Sequence, residues 1–156
     1  MKRPDTLQDV AKAWSPDSQA YQVAIAGFLD SFYMNPDRRQ AMIAVEPDAT
    51  GDARIDAWLG AAAEHLARRW DLAIPQWTQQ PRRFLREPVF AGQIESLKAL
   101  LLAQSPLSFR KRMIFVEHEP LRRARMPTDD LSRGGGKQQQ DANPCGPPAC
   151  KPRMPE

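Results

Sequence analysis

The sequence has little of what a membrane span, a metal site or a disulfide-stabilised fold requires. No apolar run reaches the roughly 20 residues that cross a bilayer, and the opening segment MKRPDTLQDVAKAW lacks the apolar stretch of a secretion signal. The two cysteines, Cys145 and Cys150, have no second pair and no nearby histidine to complete a zinc site. We therefore expect a soluble, cytoplasmic protein with no cofactor, no metal and no disulfide framework.

The sequence also has little that could carry out catalysis. It contains no phosphate-binding loop, no Gly-x-Ser-x-Gly and no His-Glu-x-x-His motif. Its two histidines are His65 and His118. His65 lies beside the apolar stripe of a predicted helix, where a histidine is more often a hydrogen-bonded boundary residue than a catalytic group. These absences favour a protein that is not an enzyme.

One pair of residues supports a catalytic alternative. Arg112 and His118 have the Arg-x(4–6)-His spacing of helical RNases of the HEPN class. In that class the arginine would hold a phosphate and the histidine would move a proton near neutral pH. A metal-independent RNase using Arg112 and His118 is therefore one alternative, although the intervening residues MIFVE favour an extended segment. The other interpretation is an exposed His118, between Glu117 and Glu119, with no chemical task.

Composition divides the chain into two parts. Residues 1–126 can form one domain, and a domain of this size buries enough surface to fold without a metal or disulfide. After Met126, Pro, Gly, Gln and Asp dominate, and Leu131 is the only large aliphatic side chain. Such a segment cannot bury enough apolar area to offset the entropic cost of ordering. We predict a helical domain over residues 1–126 and a disordered tail over residues 127–156.

Apolar residues in the first part recur at helical spacing and predict a single all-α bundle of about five or six helices. The predicted helices cover approximately residues 7–14, 16–34, 36–45, 53–70, 94–104 and 106–112. In the fourth, Asp56 and Glu64 fall at polar positions. The fifth is apolar around almost its whole circumference, which predicts a place near the centre of the bundle or in an interface such as a homodimer. Ser105 is a predicted N-cap of the sixth.

Positive charge is concentrated in residues 82–125, which carry 10 Lys/Arg and 4 Asp/Glu, a net +6, whereas residues 1–81 have a net −3. Of the 22 basic residues in the chain, 16 are arginines, whose planar fork suits carboxylates and phosphates. This distribution indicates an acidic protein partner or a nucleic acid. The other interpretation is that the basic residues only keep the domain soluble.

Three basic clusters, at residues 82–86, 110–112 and 122–125, each adjoin an apolar residue that could anchor them. If the anchors pack inward, the cations of all three clusters point outward. No segment resembles a helix-turn-helix recognition helix and no aromatic stacking pair stands out, so an acidic protein is favoured over nucleic acid. The predicted contact residues are Trp77, Arg82, Arg83, Phe84, Arg110, Arg112, Phe115 and Arg122.

Three motifs carry a family resemblance: PxW at residues 75–77, ESLKAL at 95–100 and SPxxFRxRxIFV at 105–116. With the residues around them, over about 21–127, the chain resembles a family of small uncharacterised bacterial helical proteins. These proteins are often encoded beside nucleotidyltransferase-like genes, in an arrangement typical of toxin–antitoxin pairs. The resemblance implies an antitoxin-like partner of a nucleotidyltransferase-type protein and supplies no catalytic residues. The N-terminus shows no DNA-binding domain of the kind that some relatives carry.

Overall fold

The computed structural model describes residues 3–92 and 94–127. The predicted disordered tail, apart from Pro127, and both cysteines lie outside the described residues. The described part is mostly helical, which confirms the predicted fold class. Its six α-helices are α1 (Leu7–Lys12), α2 (Ala20–Met34), α3 (Arg39–Ala44), α4 (Ala53–Arg69), α5 (Lys98–Gln104) and α6 (Leu107–Arg110).

Short elements complete the described chain. Four 3-10 turns occur at Pro36–Arg38, Gln76–Gln79, Pro81–Arg83 and Glu95–Leu97. Two strands, β1 (Val89–Phe90) and β2 (Ile114–Phe115), pair in parallel with Val89 opposite Ile114. The extended segment predicted within residues 113–117 is therefore confirmed at Ile114 and Phe115.

Local hydrogen bonds explain where the helices begin. The Thr6 side chain accepts from the Asp9 N–H while the Asp9 carboxylate accepts from the Thr6 N–H, which forms a capping box for α1. The Asp52 carboxylate caps α4 through the N–H of Arg54. α2 begins four residues later than predicted because the Ser18 hydroxyl accepts from the Ala20 N–H and favours a turn there.

The core lies around α4. Its alanine-rich surface allows close packing by α1, α3, α6 and the 3-10 turns at Gln76–Gln79 and Pro81–Arg83. Phe28 and Phe32, on the aromatic face of α2, are fully buried in the same hydrophobic cluster as the core residues of α4. Trp77 anchors the irregular segment after α4, because its ring is buried and its Nε1 donates to the carbonyl of Ile43 at 3.2 Å.

The predicted central position of the apolar fifth helix is wrong. α5 lies at the surface, with Leu100 and Leu102 exposed by 48% and 45%, and only Leu101 buried. Ser105 does not cap α6 either, because its hydroxyl donates to the carbonyl of Leu101 at 2.6 Å and accepts from the N–H of Val116 at 2.8 Å. α5 therefore contacts β2 at the surface, and α4 occupies the centre of the fold.

The sequence predicts that Ala41, Met42 and Val45 face inward from α3, and this prediction is wrong for two of the three. Met42 and Ile43 are buried, whereas Ala41 and Val45 are exposed. The chain enters α3 through the 3-10 turn at Pro36–Arg38, which advances by about 120° per residue instead of 100° and so rotates the face that follows. Val45 has left the helix, since its backbone is extended.

Candidate functional site

Two carboxylates on α4 are buried at the centre of the fold. Asp56 is 7% exposed and Glu64 is fully buried, so the prediction that both fall at polar positions of this helix is wrong. The burial of a carboxylate is costly unless a cation and hydrogen-bond donors accompany it. Two segments that pack on α4 supply these partners: the 3-10 turn at Pro81–Arg83 and the stretch that follows α6.

Glu64 binds three cations. Its Oε2 lies 2.6 Å from the Lys111 Nζ and 2.8 Å from the Arg112 Nη1, and its Oε1 lies 2.9 Å from the Arg68 Nη2. The Gln79 amide also donates to Oε2 at 3.2 Å. Burial alone would raise the pKa of Glu64, but hydrogen bonds from Lys111, Arg112 and Arg68 outweigh it and hold the pKa at about 2. With three cations and one carboxylate, the cluster has a surplus of positive charge.

Arg112 forms the base of this cluster and is fully buried. Its Nη1 donates to the carbonyl of Ser108 at 2.7 Å, and its Nη2 donates to the carbonyl of Thr78 at 2.6 Å. The guanidinium also lies over the Phe84 ring, 4.7 Å from the ring centroid. Arg112 therefore joins α4, α6 and the 3-10 turn at Gln76–Gln79 as a structural tie.

Arg83 is the second fully buried arginine. Its Nη2 donates to the carbonyl of Pro47 at 2.6 Å, and its Nη1 lies 3.7 Å from the Asp56 Oδ1. The guanidinium stacks over the Trp77 ring at 4.9 Å. The same Asp56 oxygen accepts from the N–H and the hydroxyl of Thr50 at 3.0 Å each, so the carboxylate also fixes the segment before α4.

Gly60 makes room for both buried arginines. A Cβ at this position would stand 3.0 Å from the Arg83 Cβ and 3.2 Å from the Arg112 Nε, tighter than ordinary contact. A glycine inside a regular helix costs about 1 kcal/mol relative to alanine. The close approach of two arginine side chains explains why this helix carries one.

The predicted contact residues differ in burial. Trp77, Arg83, Arg112 and Phe115 are buried, and Phe84 is half-buried. The prediction that the cations of all three basic clusters point outward is therefore wrong for Arg83 and Arg112. Their apolar neighbours pack inward as expected, but the buried carboxylates of α4 draw these two guanidiniums in with them. The remaining predicted contact residues are exposed: Arg82, Arg110 and Arg122.

Arg112 and His118 do not share an open site. Arg112 has no exposed surface with which to contact a phosphate, whereas the His118 side chain is 76% exposed and lies 3.7 Å from Glu119. His65 packs edge-on against the Phe109 ring, with centroids 5.7 Å apart. Burial, aided by Arg69, lowers the pKa of His65 to about 4, so His65 is neutral at pH 7.

Two of the three cations that bind Glu64 are partly exposed and so bring the surplus positive charge of the cluster to the surface. Arg68 is 48% exposed and Lys111 is 27% exposed, and Arg110, next in sequence to Lys111, is also exposed. We refer to Arg68, Arg110 and Lys111 as the cationic rim. The sequence offered two signals for the site beneath it that were not used: a glycine within a regular helix, and acidic residues close to its apolar stripe.

Fold and site together define a mostly helical domain with a buried charge cluster and a cationic rim. Comparison with known proteins adds no relative: no family model, no curated protein and no solved structure matches the chain. Over residues 3–92 and 94–127, no three His, Cys, Asp or Glu side chains gather as a metal ion would require. Within the same ranges, no helix combines the length and apolarity needed to span a bilayer.

Proposed function

We propose that the protein is a non-catalytic interaction protein that binds an acidic protein partner through the cationic rim. The observation that carries this proposal is the stoichiometry at Glu64, where one carboxylate binds three cations. Arg68 and Lys111 are anchored from beneath by a buried group and still expose part of their side chains. Preorganised cations lose less freedom on binding than free side chains, which favours affinity.

An acidic protein fits this surface better than nucleic acid does. Two exposed arginines outside the rim already pair with carboxylates: Arg82 with Glu46, and Arg123 with Asp30. A nucleic acid is bound by many phosphate contacts along a continuous basic path. A small group of cations with an adjoining aromatic ring, here that of Phe84 beneath the Lys111 Nζ, is more typical of a protein interface.

The resemblance narrows the proposed partner to a nucleotidyltransferase-type protein, to which this chain would be the antitoxin-like counterpart. This part of the proposal rests on the PxW, ESLKAL and SPxxFRxRxIFV motifs. Parts of two of them, PxW and SPxxFRxRxIFV, lie in the packed elements that frame the site, since Trp77 contacts Arg83, and Arg112 binds Glu64. These two motifs thus support the scaffold of the rim more directly than its exposed side chains.

A native pull-down tests this proposal. The protein serves as bait in bacterial cytoplasm that contains a nucleotidyltransferase-type protein encoded by an adjacent gene. The test variant is Arg68→Gln/Arg110→Glu, which removes rim charge while Lys111 and Arg112 still bind Glu64. The matched control, Arg38→Glu/Arg54→Gln, makes the same charge change at exposed arginines elsewhere. Arg112→Glu is unsuitable because it would place two carboxylates together in the core and unfold the domain.

We expect wild type and control to retain a stoichiometric protein partner, and the test variant to bind it at least about tenfold more weakly. Equal binding by the test variant would show that the cationic rim is not part of the interface. Capture of nuclease-sensitive material alone, with affinity that falls steeply as salt is added, would instead assign the rim to nucleic acid.

A further inference from the structure

The charge cluster at Glu64 is not neutral. Three cations contact its carboxylate, and in the described part of the chain no second carboxylate pairs with any of them. Because the pKa of Glu64 is held at about 2, this carboxylate supplies one negative charge at pH 7. Two positive charges therefore remain uncompensated. Arg112 is fully buried, so the surplus is exposed at Arg68 and Lys111.

Both exposed cations keep hydrogen-bond donors that the described residues do not use. Arg68 directs its Nε and its Nη2 at the Glu64 Oε1, each at 2.9 Å, and no described residue accepts a hydrogen bond from its Nη1. The Lys111 Nζ contacts the Glu64 Oε2 at 2.6 Å and the Gln79 Oε1 at 3.2 Å, which leaves one of its three N–H bonds. Donors on two neighbouring cations are therefore available to a ligand.

The two exposed cations are close enough to contact one oxyanion. They bind the two oxygens of a single carboxyl group, which limits the separation of the Arg68 Nη2 and the Lys111 Nζ to about 8 Å. Two oxygens of one phosphate group, each accepting a hydrogen bond of ordinary length, bridge donors up to about 8 Å apart. One phosphate group is therefore able to accept hydrogen bonds from both side chains.

We propose that the Arg68–Lys111 part of the cationic rim is a binding site for a phosphate monoester dianion. At pH 7 a monoester carries close to two negative charges and presents three acceptor oxygens, which matches the surplus charge and the unused donors. A single carboxylate or a phosphodiester carries one charge and would leave half of the surplus uncompensated. The exposed Arg110 adds a further positive charge beside Lys111.

The inference rests on the proposed function only for the origin of the phosphate. If the rim binds a protein, the monoester is a phosphorylated serine or threonine side chain of that partner. A small phosphate monoester in solution has the same chemistry and would occupy the same donors. The binding experiment below tests the chemistry, and a pull-down distinguishes the two sources.

Calorimetric titration of the full-length protein with three small probes tests the site. The probes are N-acetyl-phosphoserine amide, its methyl phosphodiester and N-acetyl-glutamate amide. Arg68→Gln and Lys111→Gln each remove one of the two exposed cations, whereas Arg112 still compensates Glu64 in both variants. The matched control, Arg38→Gln, removes an exposed charge elsewhere. Circular dichroism confirms that each protein is folded.

We expect wild type and control to bind the phosphoserine probe at least about tenfold more tightly than either other probe. Each rim variant should bind it at least about tenfold more weakly, because a charge-assisted hydrogen bond is lost. Equal affinity for phosphoserine and its diester, or unchanged phosphoserine affinity in both rim variants, would overturn the proposal. Equal affinity for phosphoserine and glutamate would overturn the phosphate assignment and leave the acidic partner in place.

Phosphatase treatment of the cytoplasm before the pull-down identifies the source of the phosphate. Loss of the protein partner after this treatment would show that the partner carries the monoester. Unchanged capture, together with tight binding of the phosphoserine probe, would assign the site to a small monoester. Rim-dependent binding of the probe by a protein whose Arg68→Gln/Arg110→Glu variant captures the partner as well as wild type does would overturn the proposed function and support this site.

Discussion

In α4 and α5, burial does not follow composition: the helix with several charged residues forms the core, and the mostly apolar helix lies at the surface. α4 spans 17 residues and carries several charged side chains, yet Glu64 on it is fully buried. α5 spans seven residues, mostly leucine and alanine, yet only Leu101 is buried. The difference lies in the partners that the chain supplies. α4 meets two arginines and several carbonyl acceptors, whereas nothing in the described part of the chain covers the outer side of α5.

This contrast predicts that substitutions in α4 and in α5 have different effects. The charge cluster on α4 fixes the geometry of the fold and holds the cationic rim in place. A buried ion pair adds little net stability compared with apolar residues of the same size, but it becomes costly when one partner is lost. Substitutions on the outer side of α5 should behave in the opposite way, with small effects on folding.

The largest effect is expected at Glu64. Glu64→Gln removes the carboxylate that compensates the buried Arg112, so the free energy of unfolding should fall by about 3–5 kcal/mol. Urea denaturation monitored by tryptophan fluorescence measures the change. The control, Glu95→Gln, breaks an exposed pair with Lys98 and should cost at most about 1 kcal/mol.

A double variant separates this loss of charge compensation from a loss of packing. In Glu64→Gln/Arg112→Met both members of the pair become neutral, so much of the stability lost in Glu64→Gln should return. Equal stability of the single and double variants would show that the unpaired Arg112 charge is not the cause.

The next effect is a pH dependence from His65. Its pKa is about 4 in the fold, below the ordinary 6.5, so the unfolded chain takes up this proton first as the pH falls. The His65 contribution is complete above pH 6.5 and is lost between about pH 6.5 and 4, by up to about 3 kcal/mol. Unfolding free energies across this range give the slope.

His65→Gln should remove that slope. The Glu64 contribution remains as an internal reference: because the pKa of Glu64 is lowered from 4.5 to about 2, its contribution is present above pH 4.5 and disappears as the pH falls toward 2. A His65→Gln protein that loses stability between pH 6.5 and 4.5 as steeply as wild type would exclude His65 as the source.

Two glycines should respond with opposite signs. Gly60→Ala forces a Cβ against Arg83 and Arg112; overpacking costs about 1–3 kcal/mol, of which helix propensity returns about 1. We therefore expect a net loss of about 1 kcal/mol. Gly27→Ala on α2 meets only the Pro4 Cδ at 3.5 Å, so it should stabilise by up to about 1 kcal/mol. Thermal unfolding of both variants tests the difference, and stabilisation by both would contradict close packing at Gly60.

The smallest effect on folding is expected on α5. Leu100→Gln replaces a side chain that is 48% exposed, so the unfolding free energy should change by no more than about 0.5 kcal/mol. Phe109→Ala, at a fully buried position beside α4, should cost about 3–5 kcal/mol in the same assay. Comparable losses for the two variants would show that α5 is part of the core.

Local patterns in the sequence predict most of the helices. The capping box at Thr6, the stripe of Phe28 and Phe32, and the regular repeat of α4 each depend on residues close in the chain. Such patterns state which side of a helix is apolar. They do not state which helix occupies the centre, because that depends on how the elements pack against one another.

The candidate site could be predicted only in part for the same reason. The arginine clusters are visible in the sequence, but the burial of Arg83 and Arg112 depends on carboxylates that precede them by 27 and 48 positions. Besides the acidic residues close to the apolar stripe of α4, Gly60 was a local clue, since an interior glycine in a strong helix usually has a packing reason. Pairing it with two distant arginines required the fold.

The most direct test of the account is the affinity of the captured protein partner for wild type, for Arg68→Gln/Arg110→Glu and for the control Arg38→Glu/Arg54→Gln. The account predicts that the partner is acidic, that the control binds like wild type, and that the rim variant binds at least about tenfold more weakly. Equal affinity for all three proteins, each with unchanged unfolding free energy, would contradict the assignment of the cationic rim as the contact surface.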